Sequence, residues 1–342
     1  MNIIEFPGLW GFKLSIKPEA LSFGSIHVYW YGLIIATGFI VAVILSMRDS
    51  EQFGIEQDNM IDLVLYAAPV AIIFARLYYV LFKWEDYKSD LTEIYKIWHG
   101  GLAIYGGIIG GLITAYFFAK HKKIPVMRLF DFGVPYLALA QAIGRWGNFV
   151  NQEAFGTNTT LPWGMTSETI RGYLENLRLQ GVDINPLEPV HPTFLYESLW
   201  NLAIFFLLTR YRKNKKFEGE VFFLYMALYG LGRTFIEGIR TDSLMLGNMR
   251  VSQVLAFLFA LTFGILLFVK RKRNTEKIEE IIELGTSEYG SVLKQVREIE
   301  AMKENASDNE FIQDSNEEGA ENSPVDVSED NEKKDSKSET GE

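Results

Sequence analysis

Apolar residues fall into seven stretches along the chain, at about 27–46, 61–82, 101–119, 129–149, 193–209, 219–238 and 251–270, with short polar segments between them. Crossing a hydrocarbon core takes about 20 residues of helix, and inside it the backbone must satisfy its own hydrogen bonds. Runs of this length with few charges predict an all-α, polytopic membrane protein of about seven transmembrane helices, not a soluble protein with buried helices. The first, third and seventh runs are the cleanest. The fourth is interrupted by Asp131, Pro135, Gln141 and Arg145. The first run starts too deep for an ordinary signal peptide and lacks a basic leader.

The polar segments set an expected orientation. Segments 47–59, 120–128 and 210–218, with the start of the tail, hold about 15 Lys and Arg in about 40 positions, and the alternate segments hold about 9 in about 100. Basic clusters stay in the cytoplasm, so the N-terminus is expected outside and the C-terminus inside. The longest outer connection, about 150–192, reads as a small extracytoplasmic cap, since a loop of that length is functional or carries short helices of its own. Charge separates two regions. The net charge is −10, yet residues 275–342 hold 21 acidic and 7 basic side chains, a net of −14, which leaves +4 for residues 1–274. Residues 1–274 are therefore read as the membrane domain. Residues 275–342 are read as an acidic, largely disordered cytoplasmic tail, with helical periodicity at 276–304 and none beyond Asn305.

The chain has no Cys and four His. A disulfide, a thiolate nucleophile and a Cys-ligated metal are excluded, and a His-rich metal site is disfavoured. With this topology, polar side chains gather at the outer ends of six runs: His27, Tyr29 and Tyr31; Arg76 and Tyr79; His99 and Tyr105; Arg145, Asn148, Asn151 and Glu153; His191, Tyr196 and Glu197; Arg233, Glu237 and Arg240. Nothing comparable is expected at the inner ends, where Asp62 and Asp131 stand mostly alone. Ionisable residues within spans are costly and mark functional sites, although belts of aromatics and snorkelling Arg account for some of them. Two or more Arg suit a phosphate through forked hydrogen bonds, and the simplest phosphate at that level is a phospholipid headgroup. The glycines of the third run, Gly100–Gly101, Gly106–Gly107 and Gly110–Gly111, are read mainly as close helix packing.

Residues 144–156 read Gly-Arg-Trp-Gly-Asn-Phe-Val-Asn-Gln-Glu-Ala-Phe-Gly. So many polar and small residues at the end of a run predict a broken helix against protein or a wet cavity. This stretch resembles the signature of the prolipoprotein diacylglyceryl transferases. His27–Gly32, Trp98–Gly107, His191–Glu197 and Tyr229–Arg233 with Glu237 and Arg240 resemble the same family, which covers about residues 1–270. The resemblance implies a bacterial inner-membrane enzyme that moves the diacylglyceryl group of phosphatidylglycerol to the lipobox Cys thiol of a secreted prolipoprotein and releases glycerol phosphate. It implies no metal, no cofactor and no nucleic-acid partner. By motif matching it points to Arg145 for phosphatidylglycerol and to Tyr31, Asn148, Glu153, Gly156 and Glu237 as functional; with Asn151 added to Arg145, Asn148 and Gly156 for the lipid, and Arg233 and Tyr105 added to Tyr31, Glu153 and Glu237 for catalysis, these are the expected site residues. His99, His191, Glu197, Arg240 and Arg76 are further candidates. Tyr105 stands where many relatives carry a His proposed as a base, so the base is left open between Glu153 and the Arg field. The rival readings are a lipid or solute transporter, which should show internal repeats or polarity at both faces, and a scaffold recruiting partners through its acidic tail.

Overall fold

A computed structural model describes residues 2–24, 26–241, 245–246, 249–286, 291–292, 294–299 and 302. It divides into two units, Met1–Asn274 and Thr275–Glu342. In the second, the described residues are helical through Thr286 and again within 291–302; the segment expected to be disordered beyond Asn305 lies outside the described residues.

In the first unit, helices lie over all seven apolar stretches: α1 (Trp30–Ser50), α2 (Gln57–Phe82), α4 (Ile104–His121), α5 (Val126–Asn151), α7 (Thr193–Tyr211), α8 (Glu220–Glu237) and α9 (Val251–Thr286). By length and composition, four of them can cross a membrane: Trp30–Phe53, Gln57–Phe82, Val126–Asn151 and Val251–Glu279. The other three are shorter, with 18 residues in α4, 19 in α7 and 18 in α8. A short helix, α3 (Trp84–Tyr87), follows α2, and α6 (Glu168–Leu179) lies in the 150–192 cap, where Ser167 caps it by accepting from the Ile170 amide at 3.1 Å.

The all-helical expectation needs correction. Strands β1 (Asn2–Phe6) and β2 (Phe12–Ile16) form a hairpin, and β5 (Thr166–Ser167) of the cap joins β1 in the order β2-β1-β5. β3 (Glu19–Phe23) and β4 (Ile26–Tyr29) form a second hairpin that runs into α1, and β6 (Met245–Leu246) pairs with β7 (Met249–Arg250). The first hairpin is short, and half of it gains its burial only from the cap and helix ends beneath it.

α5 is the central helix and packs against α1, α7 and α8. α4 lies against α2 instead. A side chain at Gly110 would meet Phe74 Cβ at 2.9 Å and the Val70 carbonyl at 3.0 Å, and one at Gly106 would strike the α2 backbone. These two glycines are therefore packing surfaces. The cap core joins Ile4, Phe155, Met165, Ile170, Leu174 and Val190 to Phe149 and Phe194 at the adjoining helix ends.

The far end of the bundle also departs from expectation, because its acidic residues are not alone. Asp131 accepts from the Gly219 and Phe222 amides at 2.8 and 2.9 Å and from Lys215 at 3.0 Å, which caps the start of α8 from a neighbouring helix. Asp49 accepts from Tyr136 at 2.7 Å and from Arg212 at 2.5 Å, while Arg212 also donates to the Tyr136 hydroxyl at 2.8 Å and lies over Phe53. Asp62 pairs with Lys122 at 2.9 Å. The partners sit 60 to 163 residues away in sequence, so only folding reveals them.

Candidate functional site

At the cap end, three guanidiniums converge on one carboxylate. Glu197, in the first turns of α7, is 2% exposed. Arg145 of α5 approaches its Oε2 at 2.7 Å, and Arg233 of α8 and Arg240 just beyond α8 approach its Oε1 at 3.1 and 3.4 Å. The Arg145 contact is ionic without hydrogen-bond alignment, as Oε2 accepts no directed bond among the described residues. Arg233 also grips Glu237, one turn on along α8 and equally buried. The Glu237 backbone carbonyl accepts from Arg250 at 3.0 Å. Three Arg thus meet on two buried carboxylates, Glu197 and Glu237. The guanidinium-bearing side chains remain 13–22% exposed.

The polar chain continues outward along the 144–156 motif. Arg145 donates to Asn148 at 3.4 Å, and Asn148 donates to Glu153 at 2.9 Å. The helix breaks here as predicted, since α5 ends at Asn151 and both Gln152 (φ 54°) and Ala154 (φ 56°) are left-handed. The buried Gln152 amide has no hydrogen-bond partner among the described residues. Exposed Asn151 and Glu153 line a cleft of about 230 Å³ with Thr169, Tyr173 and Thr241. Tyr31 of α1 packs its ring on Gly147, one residue before Asn148.

Gly156 works as a spacer. Its amide donates to the His191 carbonyl at 2.9 Å, and the next amide, Thr157, donates to the Ile239 carbonyl at 2.8 Å. A side chain at Gly156 would meet His191 Cβ at 2.8 Å and the Ile239 carbonyl at 3.0 Å. The segment therefore laces the start of α7 to the end of α8, which sets Glu197 beside Arg233 and Arg240. His191 meets the Tyr196 hydroxyl at 3.1 Å, and Trp163 donates to the same hydroxyl at 2.8 Å. Burial holds the His191 imidazole below its ordinary value.

Three candidates lie apart from the arginine cluster. Arg76 is 4% exposed and donates to the backbone carbonyls of Ile94 at 2.8 Å, Glu93 at 2.6 Å, Gly100 at 2.6 Å and Gly101 at 2.9 Å, so it holds the 93–101 loop in shape. His99 pairs with Glu93 at 2.8 Å. Tyr105 is 63% exposed, on the α2–α4 side with its ring 6.3 Å from that of Tyr78. Glu197, only a further candidate from sequence, is the centre of the cluster. Its position four residues after the His-Pro-Thr step was the available signal, but the partners that make it central come from other helices.

An apolar groove of about 330 Å³ opens between α1, α5 and α7, and its lining includes Trp146 and Ser198, which follow Arg145 and Glu197 in the chain. Trp30, Ile34, Leu139, Trp146 and Leu202 line it. The polar atoms at its wall are satisfied internally, with Trp146 donating to Ser198 at 3.2 Å and Ser198 to the Ala142 carbonyl at 2.8 Å. The site thus offers a cationic head and an apolar groove.

The family model described as prolipoprotein diacylglyceryl transferase matches residues 18–270. The chain is 44% identical over 284 residues to the phosphatidylglycerol–prolipoprotein diacylglyceryl transferase of a Listeria monocytogenes serotype 4b strain, covering 82% of this chain and 97% of that protein. It is 46% identical to the Listeria welshimeri protein of the same name, over 76% of this chain and 92% of the relative. With the Bacillus cereus protein of that name the identity is 47%, over 74% and 92%.

Proposed function

The chain belongs to the prolipoprotein diacylglyceryl transferase family, and from that membership we propose that it transfers the diacylglyceryl group of phosphatidylglycerol to the lipobox Cys of a prolipoprotein, with the arginines around Glu197 holding the lipid phosphate. The observation that carries the site assignment is the convergence of Arg145, Arg233 and Arg240 on Glu197. One buried carboxylate draws three guanidiniums together, and guanidiniums grip phosphate oxygens through forked hydrogen bonds. The adjoining apolar groove accepts an acyl chain.

In the reaction, the substrate sulfur attacks the glyceryl carbon that bears the phosphate. An S–C bond forms and the C–O bond to the phosphate breaks. Glycerol phosphate leaves with the bonding electrons, and the thiol proton is released. A free thiol has a pKa of about 8.5, so a cationic field favours the attacking thiolate. Arg145 binds the lipid phosphate, and Arg233 stabilises the charge that grows on it as it leaves. Glu237 orients Arg233. Glu197 and Glu237 are already engaged by guanidiniums, whereas Glu153 is exposed and held by the Asn148 amide. Glu153 is the carboxylate we assign to accept the proton. Tyr31 and Asn148 shape the headgroup pocket, Asn151 reaches the headgroup hydroxyls from the cleft, and Gly156 keeps the pocket walls together. Tyr105, on the α2–α4 side apart from the arginines, is given no part in the proton transfer.

The enzyme works in the bacterial inner membrane with all seven stretches spanning it, the N-terminus and cap outside and the acidic tail in the cytoplasm. The excess of basic residues in alternate segments supports this orientation. The test is a purified, lipid-reconstituted assay with phosphatidylglycerol and a lipobox peptide. Turnover is expected for the intact protein and is expected to vanish for a folded Arg145→Ala variant. Full turnover by that variant sinks the phosphate assignment.

A further inference from the structure

The N-terminal hairpin carries an apolar face that the protein covers only in part. Its register sets Ile4 opposite Leu14 and Phe6 opposite Phe12, so these four share a face, while Glu5 and Lys13 pair at 2.8 Å across the other. Ile4 is fully buried among Phe149 and Val150, in the last turn of α5, and Phe194, in the first turn of α7. The Phe6 ring lies 6.4 Å from that of Phe149. The face is therefore turned toward the helix ends.

On β2 the same face is packed at Ile16 and opens toward the turn. Phe12 is 56% exposed and Leu14 36%. The turn between the strands adds Leu9 and a wholly exposed Trp10, whose left-handed backbone (φ 53°) presents the indole at the tip. The tip is fixed, because Gly8 packs directly on Pro162 of the cap. α5 is one of the helices able to cross a membrane, so its last turn marks the level where hydrocarbon gives way to headgroups. Indole rings favour that level, with an apolar body and one polar N–H. A contiguous apolar patch turned toward it is stabilised by lipid and is unfavourable in water.

We infer that the tip of this hairpin, Leu9, Trp10, Phe12 and Leu14, sits in the membrane–water interface beside the cap end of α5 and anchors the cap to the lipid surface. The hairpin precedes the stretch matched by the family model, which begins at residue 18. The anchor bears on how the cap is held over the site.

The absence of Cys makes the test clean, because any introduced thiol is unique. Trp10→Cys and Leu187→Cys, the latter replacing an 81% exposed cap residue, are each labelled with a nitroxide in the full chain, in phosphatidylglycerol/phosphatidylcholine nanodiscs. Retained turnover confirms folding of both. The ratio of oxygen to polar-relaxant collisions is expected to be about threefold or more higher at position 10 than at position 187, as for a side chain below the headgroups. Equal, water-like ratios overturn the anchor. So does protection at position 10 that appears only with added lipobox peptide or rises with two copies per disc, which identifies a peptide or a second copy as the cover.

Discussion

The two ends of the helix bundle use the same chemistry to opposite effect. At the end remote from the cap, Arg212 is closed by Asp49 and Tyr136, and Lys215 by Asp131 and Glu218. Lys215 and Arg128 share Glu218, and the groups serve as clamps between α1, α5, α7 and the start of α8. At the cap end, three Arg share Glu197 and Glu237 beside an apolar groove. At the remote end ion pairs tie helices together, whereas at the cap end three guanidiniums are gathered at one point.

Breaking the cap-end cluster gives the largest effect on activity. Arg233→Ala is expected to lower turnover about 100- to 1,000-fold, the cost of losing one preorganised stabiliser of a developing charge, measured with phosphatidylglycerol and a lipobox peptide at matched protein folding. Next comes Glu197→Gln, which leaves three guanidiniums without their common anchor. It should cost about 3 kcal/mol in stability, as for breaking a buried ion pair, and should also lower turnover. Thermal unfolding in detergent and the same assay read the two consequences separately. Arg212→Ala sharpens the comparison from the other end. It should cost a similar 3–5 kcal/mol, while the fraction that remains folded keeps its kcat. A clear loss of kcat there would mean that the two ends do not divide the work in this way.

The smallest effect concerns His191. Burial depresses its folded pKa below the unfolded value near 6.5, so the unfolded chain binds the proton more readily. This contribution to stability is complete above pH 6.5 and falls away as the pH drops through the lower folded pKa. The unfolding temperature should decline modestly on acidification from pH 7, and His191→Gln should flatten part of that slope.

The sequence made the helices legible because hydrocarbon imposes length and apolarity on any spanning segment. The observed α7, Thr193–Tyr211, and α8, Glu220–Glu237, fall within about two residues of the apolar stretches. Arg145 and Arg233 stood out because a charge inside such a run demands a reason. Glu197 was undervalued because its importance lies in partners on α5 and α8. Arg76 looked like a site residue on the same grounds, but its guanidinium serves the carbonyls of a loop, a use that charge patterning cannot distinguish from catalysis. The hairpins before α1 escaped notice because strands of four or five residues carry a weak signal. In β2 the alternation Phe12-Lys13-Leu14-Ser15-Ile16 after Pro7-Gly8 was the available cue.

Asp131 fastens α8 by its foot, holding the Phe222 amide, and the Arg233 guanidinium rides eleven residues above that amide. At the rise of a helix that is a fixed stem of about 17 Å. Lengthening the stem by one residue between those two points would lift Arg233 by about 1.5 Å and swing it by about 100° away from α7. Extra residues in the 213–218 loop below the fastening leave that height unchanged.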